Sequence, residues 1–242
     1  DQKLSGEYRN VPASHFDREP NADIGKTLTE AEVAEAPHEP GGKLKRFRHD
    51  PEDGVSPRSV PGQKGGRFLA SGNEHNEAGH ISEDPDNRVA QVDRRTRKLE
   101  SIREDLNGDG LNVTYGPEDA DYGILAFGSM VGTVEESVKE LNADGESVKA
   151  LAVGEMAPFP KTEVREFIES VDRVMVVEMN STAQFRGLTQ KELGEYGPKL
   201  ASLLKYNGNP FEPAEVVEGF HNTLSGDDET EHQTRFVPAA GD

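Results

Sequence analysis

Apolar residues are concentrated in the second half of this 242-residue sequence, where short continuous runs alternate with amphipathic segments. The runs at 122–128, 148–153 and 173–178 are typical of strands covered on both faces. Residues 201–206 are a candidate edge strand. Strands separated by single helices favour right-handed parallel crossovers. The pattern therefore predicts a small, doubly wound parallel α/β sheet between residues 118 and 224.

Helices are predicted between and after these strands. Thr133 and Glu136 have the spacing of a capping box, which indicates that the first helix begins at Thr133, and Gly145 is expected to end it. The second helix is predicted from apolar residues with a spacing of i, i+3, i+4 and i+7, namely Val164, Phe167, Ile168 and Val171. Two further helices are predicted at 183–193 and 213–224.

The first half of the sequence lacks this periodicity and is rich in proline and glycine. Residues 1–117 are therefore predicted to be an extended connector, with one short helix at 29–36 and a surface helix near 86–106. The acidic tail at 225–242 is predicted to be disordered.

The surface helix carries a basic run that includes Arg94, Arg95, Arg97, Lys98 and Arg103. Two interpretations remain open for this face. It contacts a phosphate or an acidic neighbour, or it is a solvated face whose charge is balanced by Asp93, Glu100, Glu104 and Asp105.

Acidic residues outnumber basic ones by 46 to 27 and are spread along the whole chain, which gives a net charge of -19. Molar salt shortens the Debye length to roughly 3 Å and screens such self-repulsion, so a salt-adapted cytoplasmic protein is predicted. The charge argues against nucleic-acid binding. No run has the roughly 20 apolar residues of a membrane span. The first residue is Asp1 rather than Met, which suggests a fragment or a processed product.

The sequence contains no cysteine, so these residues provide neither a disulfide nor a thiolate ligand for an iron–sulfur cluster. A cysteine nucleophile is excluded for the same reason. Chemistry of that kind is expected to come from a partner.

Three segments follow predicted strands, and the carboxyl ends of parallel strands are where ligands bind. The first contains Gly128, Ser129 and Gly132, and it suits either an anion or a tight turn without a ligand. The second is 156–160. The third contains Glu178, Asn180 and Gln184. Helix capping by Glu178 or Asn180 and interface contacts by all three are predicted, because no nucleophile and base are paired nearby.

Two segments have some features of metal sites. Residues 74–80 contain two glutamates and two histidines, but their spacing matches no familiar zinc pattern and a structured loop is preferred. Residues 105–110 match the first half of a calcium loop or the start of a thiamine diphosphate magnesium motif, but the later ligands are missing and an ordinary turn is preferred. No metal site is predicted.

The order of several short motifs carries a family resemblance. These motifs are DGVSPRSVPG at 53–62, SGNEHNEAGH at 71–80, RRTRKL at 94–99, AFGS at 126–129, APFP at 157–160 and VEMN at 177–180. In this order they resemble the C-terminal part of the α subunit of 2-oxoacid:ferredoxin oxidoreductases of the 2-oxoglutarate/pyruvate type. The opening residues 1–4 are similar to the end of the pyrimidine-binding domain of that subunit.

The resemblance implies that the assembly decarboxylates a 2-oxoacid on thiamine diphosphate, reduces ferredoxin through iron–sulfur clusters and forms an acyl-CoA. It implies that the β subunit holds the diphosphate, with its Mg²⁺, and a cluster. For this chain it implies no catalytic residue and no bound cofactor. A transketolase C-terminal-like domain is implied at 118–224, and Glu74, His75, Arg94 and Arg95 are implied to lie in a connector that wraps neighbouring domains.

Two other interpretations remain. One is an independent α/β module that binds a small anion at 128–132 without turnover. The other is a C-terminal domain of the transketolase or dehydrogenase E1 type, against which the connector at 53–80 argues.

Overall fold

The computed structural model describes residues 6, 8, 10–17, 24–106, 111–224 and 234–236. The chain divides into two compact units, one made of residues 1–9 and 108–242 and the other of residues 10–107. The opening residues 1–4 and the tail outside 234–236 lie beyond the described residues. Within the described ranges, no helix is both long enough and apolar enough to cross a bilayer.

The described ranges contain six α-helices, which are numbered here in chain order. They are α1 Glu30–Glu35, α2 Pro85–Leu106, α3 Met130–Ala143, α4 Lys161–Glu169, α5 Gln184–Glu192 and α6 Pro213–Thr223. The helices α1 and α2 belong to the unit of residues 10–107, and the other four belong to the second unit.

The second unit is built on a six-stranded sheet. Its strands are β1 Val113–Tyr115, β2 Tyr122–Phe127, β3 Val148–Val153, β4 Arg173–Glu178, β5 Leu200–Leu204 and β6 Thr234–Phe236, in the spatial order β1-β3-β2-β4-β5-β6. Strands β2 to β6 are parallel, and β1 is antiparallel to β3. The predicted α/β class is confirmed, with an antiparallel strand added at one edge. Strand β5 lies between β4 and β6 rather than at the edge of the sheet.

Two hydrophobic cores cover the two faces of the sheet. Alternate strand residues face opposite sides, so Ile124 belongs to the core that contains Val134 and Phe220, and Leu125 belongs to the core that contains Phe167. Helices α3 and α6 supply the first core, and α4 and α5 supply the second. Helices on both faces of a mostly parallel sheet define the doubly wound arrangement.

One strand glycine is required by the packing of the second face. A Cβ atom at Gly123 would lie 2.9 Å from the ring of Phe167 and 3.1 Å from Val171. Glycine at this position therefore lets α4 approach the centre of the sheet.

Helix α3 begins three residues earlier than predicted. Thr133 lies inside the helix, where its hydroxyl donates to the carbonyl oxygen of Phe211 at 3.3 Å, and it does not cap the helix. The early start buries Met130 against Val134 and Val138 in the first core. The capping-box prediction was wrong because this burial outweighed a local signal. Gly145, with φ 95°, follows the end of the helix as predicted.

The unit of residues 10–107 is held together mainly by loops laid along α2. At Gly54 the loop backbone packs tightly against α2, because a Cβ atom there would lie 2.3 Å from the carbonyl oxygen of Arg94. The hydroxyl of Ser101 donates to the carbonyl oxygen of Asp53 at 3.1 Å. The short helix α1 has the reciprocal capping box of Thr29 and Glu32. Val33 and Leu44 are the buried apolar anchors on either side of the following turn.

Candidate functional site

The candidate site is the sheet edge formed by the carboxyl ends of the parallel strands. Strands β2 and β4 are neighbours and parallel, so the residues that follow them lie at the same edge. Gly128 follows β2, and Glu178 is the last residue of β4. The structure therefore brings together the starts of the first and third predicted segments, at Gly128 and Glu178.

Glu178 is fully buried, and its carboxylate caps helix α5. Its Oε2 atom accepts a hydrogen bond from the backbone N–H of Phe185 at 2.8 Å, and its Oε1 atom accepts one from the N–H of Arg186 at 3.1 Å. The side-chain amide of Asn180 donates to Oε2 at 2.6 Å. A helix N-terminus is where a phosphate would otherwise bind. Because a carboxylate of the chain occupies this one, α5 does not present a free anion site.

Asn180 shapes the turn between β4 and α5. Its Oδ1 atom accepts hydrogen bonds from the N–H groups of Thr182 at 3.0 Å and Gln184 at 3.2 Å. Ala183 follows with φ 51°, an uncommon left-handed conformation for a residue with a side chain. The predicted capping by Glu178 and Asn180 is therefore seen. Interface contacts by Glu178, Asn180 and Gln184 stay a prediction, with Gln184 the exposed residue of the three.

The start of α3 is less constrained than the start of α5. Gly128 has φ 59°, and Ser129 precedes the helix without a side-chain capping bond. Gly132 lies inside α3 rather than in the turn, which corrects the predicted extent of the loop. A Cβ atom at either glycine would meet nothing within 4 Å. Ligand binding by Gly128, Ser129 and Gly132 stays a prediction.

The segment at 156–160 anchors a loop in the second core. Its Ala157–Pro158 peptide bond is cis, and Phe159 is buried. The segment leads directly into α4, which begins at Lys161. Its contacts are those of a packed connection.

A cleft of about 510 Å³ is lined by residues of β1, β3 and α4. The buried side chain of Lys149 lines it and donates to the carbonyl oxygen of Glu118 at 2.7 Å. Three glutamates, Glu118, Glu163 and Glu166, also line it. Since their negative charges oppose anions, this cleft does not suit a diphosphate.

In the unit of residues 10–107, Glu74 is held by two arginines of α2. Its carboxylate accepts hydrogen bonds from Arg95 at 3.1 and 2.9 Å and also from Arg88. The bond from Arg95 is the main cause that lowers the pKa of Glu74 to about 2, and Arg88 adds to it against the opposing effect of burial. Glu74 therefore ties its loop to α2 as a carboxylate.

The two histidines of the 74–80 loop have separate partners. The Nδ1 atom of His75 lies 2.8 Å from the carbonyl oxygen of Asn73, and its ring packs against Phe47. The Nε2 atom of His80 lies 2.7 Å from a carboxylate oxygen of Glu39. No group of three or more metal-ligating side chains occurs among the residues that the structure describes. The calcium-like segment at 105–110 extends beyond them, since 107–110 are not described.

Sequence reasoning missed Gln91, the one fully buried residue of α2. Its amide donates to the carbonyl oxygen of Phe47 at 3.1 Å, and its Oε1 atom accepts from Arg94 at 2.9 Å. A glutamine within a polar helix carries no burial signal of its own. Its role becomes clear only from the structure, where it connects α2 to the loop that contains Phe47.

The chain is similar to subunits of known oxidoreductases. Residues 120–215 match the family described as pyruvate:ferredoxin oxidoreductase core domain II. A 2-oxoacid:ferredoxin oxidoreductase α subunit from Sulfurisphaera tokodaii is 30% identical over 219 residues, which are 90% of this chain and 32% of that subunit. An α subunit from Aeropyrum pernix is 33% identical over 199 residues, covering 81% of this chain and 29% of its own length.

Residues 120–215, referred to below as core domain II, are similar to that domain of the oxidoreductase family. A solved relative supports the match in three dimensions. It is a 2-oxoglutarate:ferredoxin oxidoreductase from Magnetococcus marinus with 2-oxoglutarate, coenzyme A and succinyl-CoA bound, and it aligns with a TM-score of 0.60 and 28% identity over 73% of this chain and 30% of its own. The resemblance to the α subunit is confirmed. Core domain II and its preceding unit together span about a third of the length of the curated relatives they match.

Proposed function

We propose that this chain is part of the α subunit of a 2-oxoacid:ferredoxin oxidoreductase and that it serves mainly to pack subunits. The reaction of the assembly is the oxidative decarboxylation of a 2-oxoacid, such as pyruvate or 2-oxoglutarate, to an acyl-CoA with reduction of ferredoxin. The observation that carries the proposal is the match to α subunits along 90% of the chain.

The geometry of core domain II supports a packing role over a catalytic one. The helix start after β4 is closed by Glu178, and the cleft beside β1 is lined by carboxylates. Neither place offers the free N–H donors that would bind the diphosphate of thiamine diphosphate. We therefore assign no step of the reaction to these residues.

The thiamine diphosphate, Mg²⁺, iron–sulfur cluster and CoA of the assembly are assigned to other chains or other parts of the α subunit. The absence of cysteine from these 242 residues supports this division, because a thiolate-ligated cluster needs a cysteine-bearing partner. That partner is a β subunit, and ferredoxin is reached through it. The acidic composition supports a salt-rich cytoplasm as the location.

The subunit contacts are proposed to come from two places. One is the turn after β4 with Asn180 and Gln184, next to the buried Glu178. The other is the loop and helix that carry Glu74, His75, Arg94 and Arg95. Glu74 and Arg95 bind each other, so together they present a rigid surface rather than two free charges.

An activity measurement tests the proposal. The native assembly is purified through this chain and assayed for 2-oxoacid- and CoA-dependent reduction of ferredoxin or a viologen dye, with the chain alone as the matched sample. We expect turnover by the assembly and none by the isolated chain. An assembly without this activity, or turnover by the isolated chain, would refute the proposed role.

A further inference from the structure

Four arginines of the unit of residues 10–107 form a cluster without carboxylate partners. They are Arg46, Arg58, Arg94 and Arg97, named here the arginine cluster. Within the described part of the chain, none of them forms an ion pair with a carboxylate. By contrast, Arg88 and Arg95 on the same helix both bind Glu74. In a chain with 46 acidic and 27 basic residues, unpaired arginines need a specific explanation.

Hydrogen bonds connect three of the guanidinium groups to the backbone between residues 47 and 56, two of them directly and Arg94 through Gln91. Arg46 donates to the carbonyl oxygen of Ser56 at 2.7 Å, and Arg97 donates to that of His49 at 2.7 Å. Arg94 donates to Gln91, which in turn donates to the carbonyl oxygen of Phe47. The anchoring atoms therefore lie at residues 47, 49 and 56, and Arg94 and Arg97 are one turn apart on α2.

Arg58 is the fourth member of the cluster. It follows Ser56 by two residues and donates to the carbonyl oxygen of Ile24 at 3.3 and 2.8 Å. All of these acceptors are neutral oxygens, so they position the guanidinium groups without supplying a negative charge.

The positive charges are close enough to disfavour one another. Burial, then the nearby charges of Arg94 and Arg58, lower the pKa of Arg46. Burial, then Arg95 and Arg97, lower the pKa of Arg94 against a partial compensation by Glu74. Half-buried like charges that are at most partly compensated, as Arg94 is by Glu74, are unfavourable.

A neighbouring histidine adds an unused hydrogen-bonding atom. The Nε2 atom of His49 is buried and has no partner among the described residues, although the backbone oxygen of the same residue accepts from Arg97. Its Nδ1 atom lies 3.8 Å from Glu77, whose carboxylate is also bound by Lys45. An N–H on Nε2 would be a further donor on the residue whose backbone oxygen holds Arg97.

We infer that the arginine cluster, with His49, is a binding site for a phosphate-type oxyanion. Guanidinium groups match the oxygens of phosphate in paired hydrogen bonds and are less strongly hydrated than ammonium groups. A ligand with two or more negative charges supplies the counter-charge that the chain itself does not provide. The inference does not rest on the proposed oxidoreductase role, because it uses only residues of the unit of residues 10–107.

Binding of inorganic phosphate and pyrophosphate to the full chain tests this inference. Titrations are followed by calorimetry and by ³¹P NMR at constant ionic strength, with chloride as the balancing anion. We expect pyrophosphate to bind more tightly than phosphate. Arg94→Gln and Arg97→Gln are each expected to weaken binding roughly tenfold, since each removes a charge-assisted hydrogen bond. Arg103→Gln, at an exposed position of the same helix, is expected to leave it unchanged.

A second measurement separates loss of the site from loss of folding. Without ligand, Arg94→Gln is expected to be at least as resistant to thermal unfolding as the wild type, because it relieves repulsion and glutamine can still reach Gln91. No binding of either anion by the wild type, or equal binding by all variants, would overturn the inference. Binding of citrate but neither phosphate would also overturn it and would indicate a carboxylate site.

Discussion

The carboxylate of Glu178 accepts the backbone N–H of Phe185 at 2.8 Å, so the end of β4 is tied directly to the first turn of α5. The same carboxylate also accepts the N–H of Arg186. In many α/β proteins this position faces a ligand phosphate. In core domain II the buried side chain of Glu178 occupies this position, so the turn has a structural role.

Removal of the Glu178 carboxylate is expected to destabilise the domain. Glu178→Ala leaves buried backbone donors without an acceptor, and the free energy of unfolding should fall by roughly 2 kcal/mol or more. Glu178→Gln retains one acceptor and should lose less. Chemical unfolding of the purified chain measures both. Glu140→Ala, at an exposed position of α3, is the control and should change stability by less than about 0.5 kcal/mol. A Glu178→Ala variant as stable as that control would contradict the capping role.

Two glycine-to-alanine substitutions are expected to have opposite effects. In Gly123→Ala the new methyl group would lie 2.9 Å from Phe167, so the free energy of unfolding should fall by roughly 1–3 kcal/mol. In Gly132→Ala the methyl group meets nothing within 4 Å in the first turn of α3, so stability should rise by up to about 0.5–1 kcal/mol. Thermal unfolding of both variants measures these changes in stability. A destabilised Gly132→Ala variant would mean that α3 does not include this residue.

Glu74 should make stability depend on acidity. Its pKa is lowered from 4.5 to about 2 in the folded chain, mainly by the hydrogen bond from Arg95. A lowered carboxyl pKa stabilises the fold above the unfolded-state value, and this contribution disappears as the pH falls from about 4.5 to about 2. The difference in unfolding free energy between wild type and Glu74→Gln should therefore shrink across this range. Glu83→Gln is the matched control on an exposed carboxylate. A difference that does not change with pH would show that Glu74 is not held by these arginines.

Salt is expected to stabilise the chain. With a net charge of -19, the folded state repels itself at low ionic strength. Raising KCl from about 0.1 M to about 1 M shortens the Debye length from roughly 10 Å to roughly 3 Å, and the melting temperature should rise by about 4 °C or more. Calorimetric scans in a KCl series measure the effect. A flat or falling melting temperature would argue against adaptation to a salt-rich cytoplasm.

The elements with continuous apolar runs were predictable from the sequence. The predicted strands at 148–153 and 173–178 have the same bounds as β3 and β4. A parallel strand that is buried on both faces appears in the sequence as a nearly continuous run of apolar residues. Strand β1 was missed. It is three residues long and mostly exposed, so its sequence has no pattern of apolar residues that would indicate pairing with β3.

Long-range contacts explain the other differences. The cap at Thr133 was a sound local signal, but the burial of Met130 in the core moved the helix start. The capping role of Glu178 was predicted, whereas its bonds to Phe185 and Arg186 depend on the turn that Ala183 makes. The arginine cluster joins residues near 46–58 to residues near 91–97, a separation that no local pattern encodes.

Purification of the native assembly through this chain, in molar KCl throughout, tests the assignment to an α subunit most directly. The chain should elute with a cysteine-containing subunit that carries iron, sulfide and thiamine diphosphate, in a fixed ratio measured by mass spectrometry and cofactor analysis. Recovery of the chain by itself, with no thiamine diphosphate in any associated protein, would contradict the assignment.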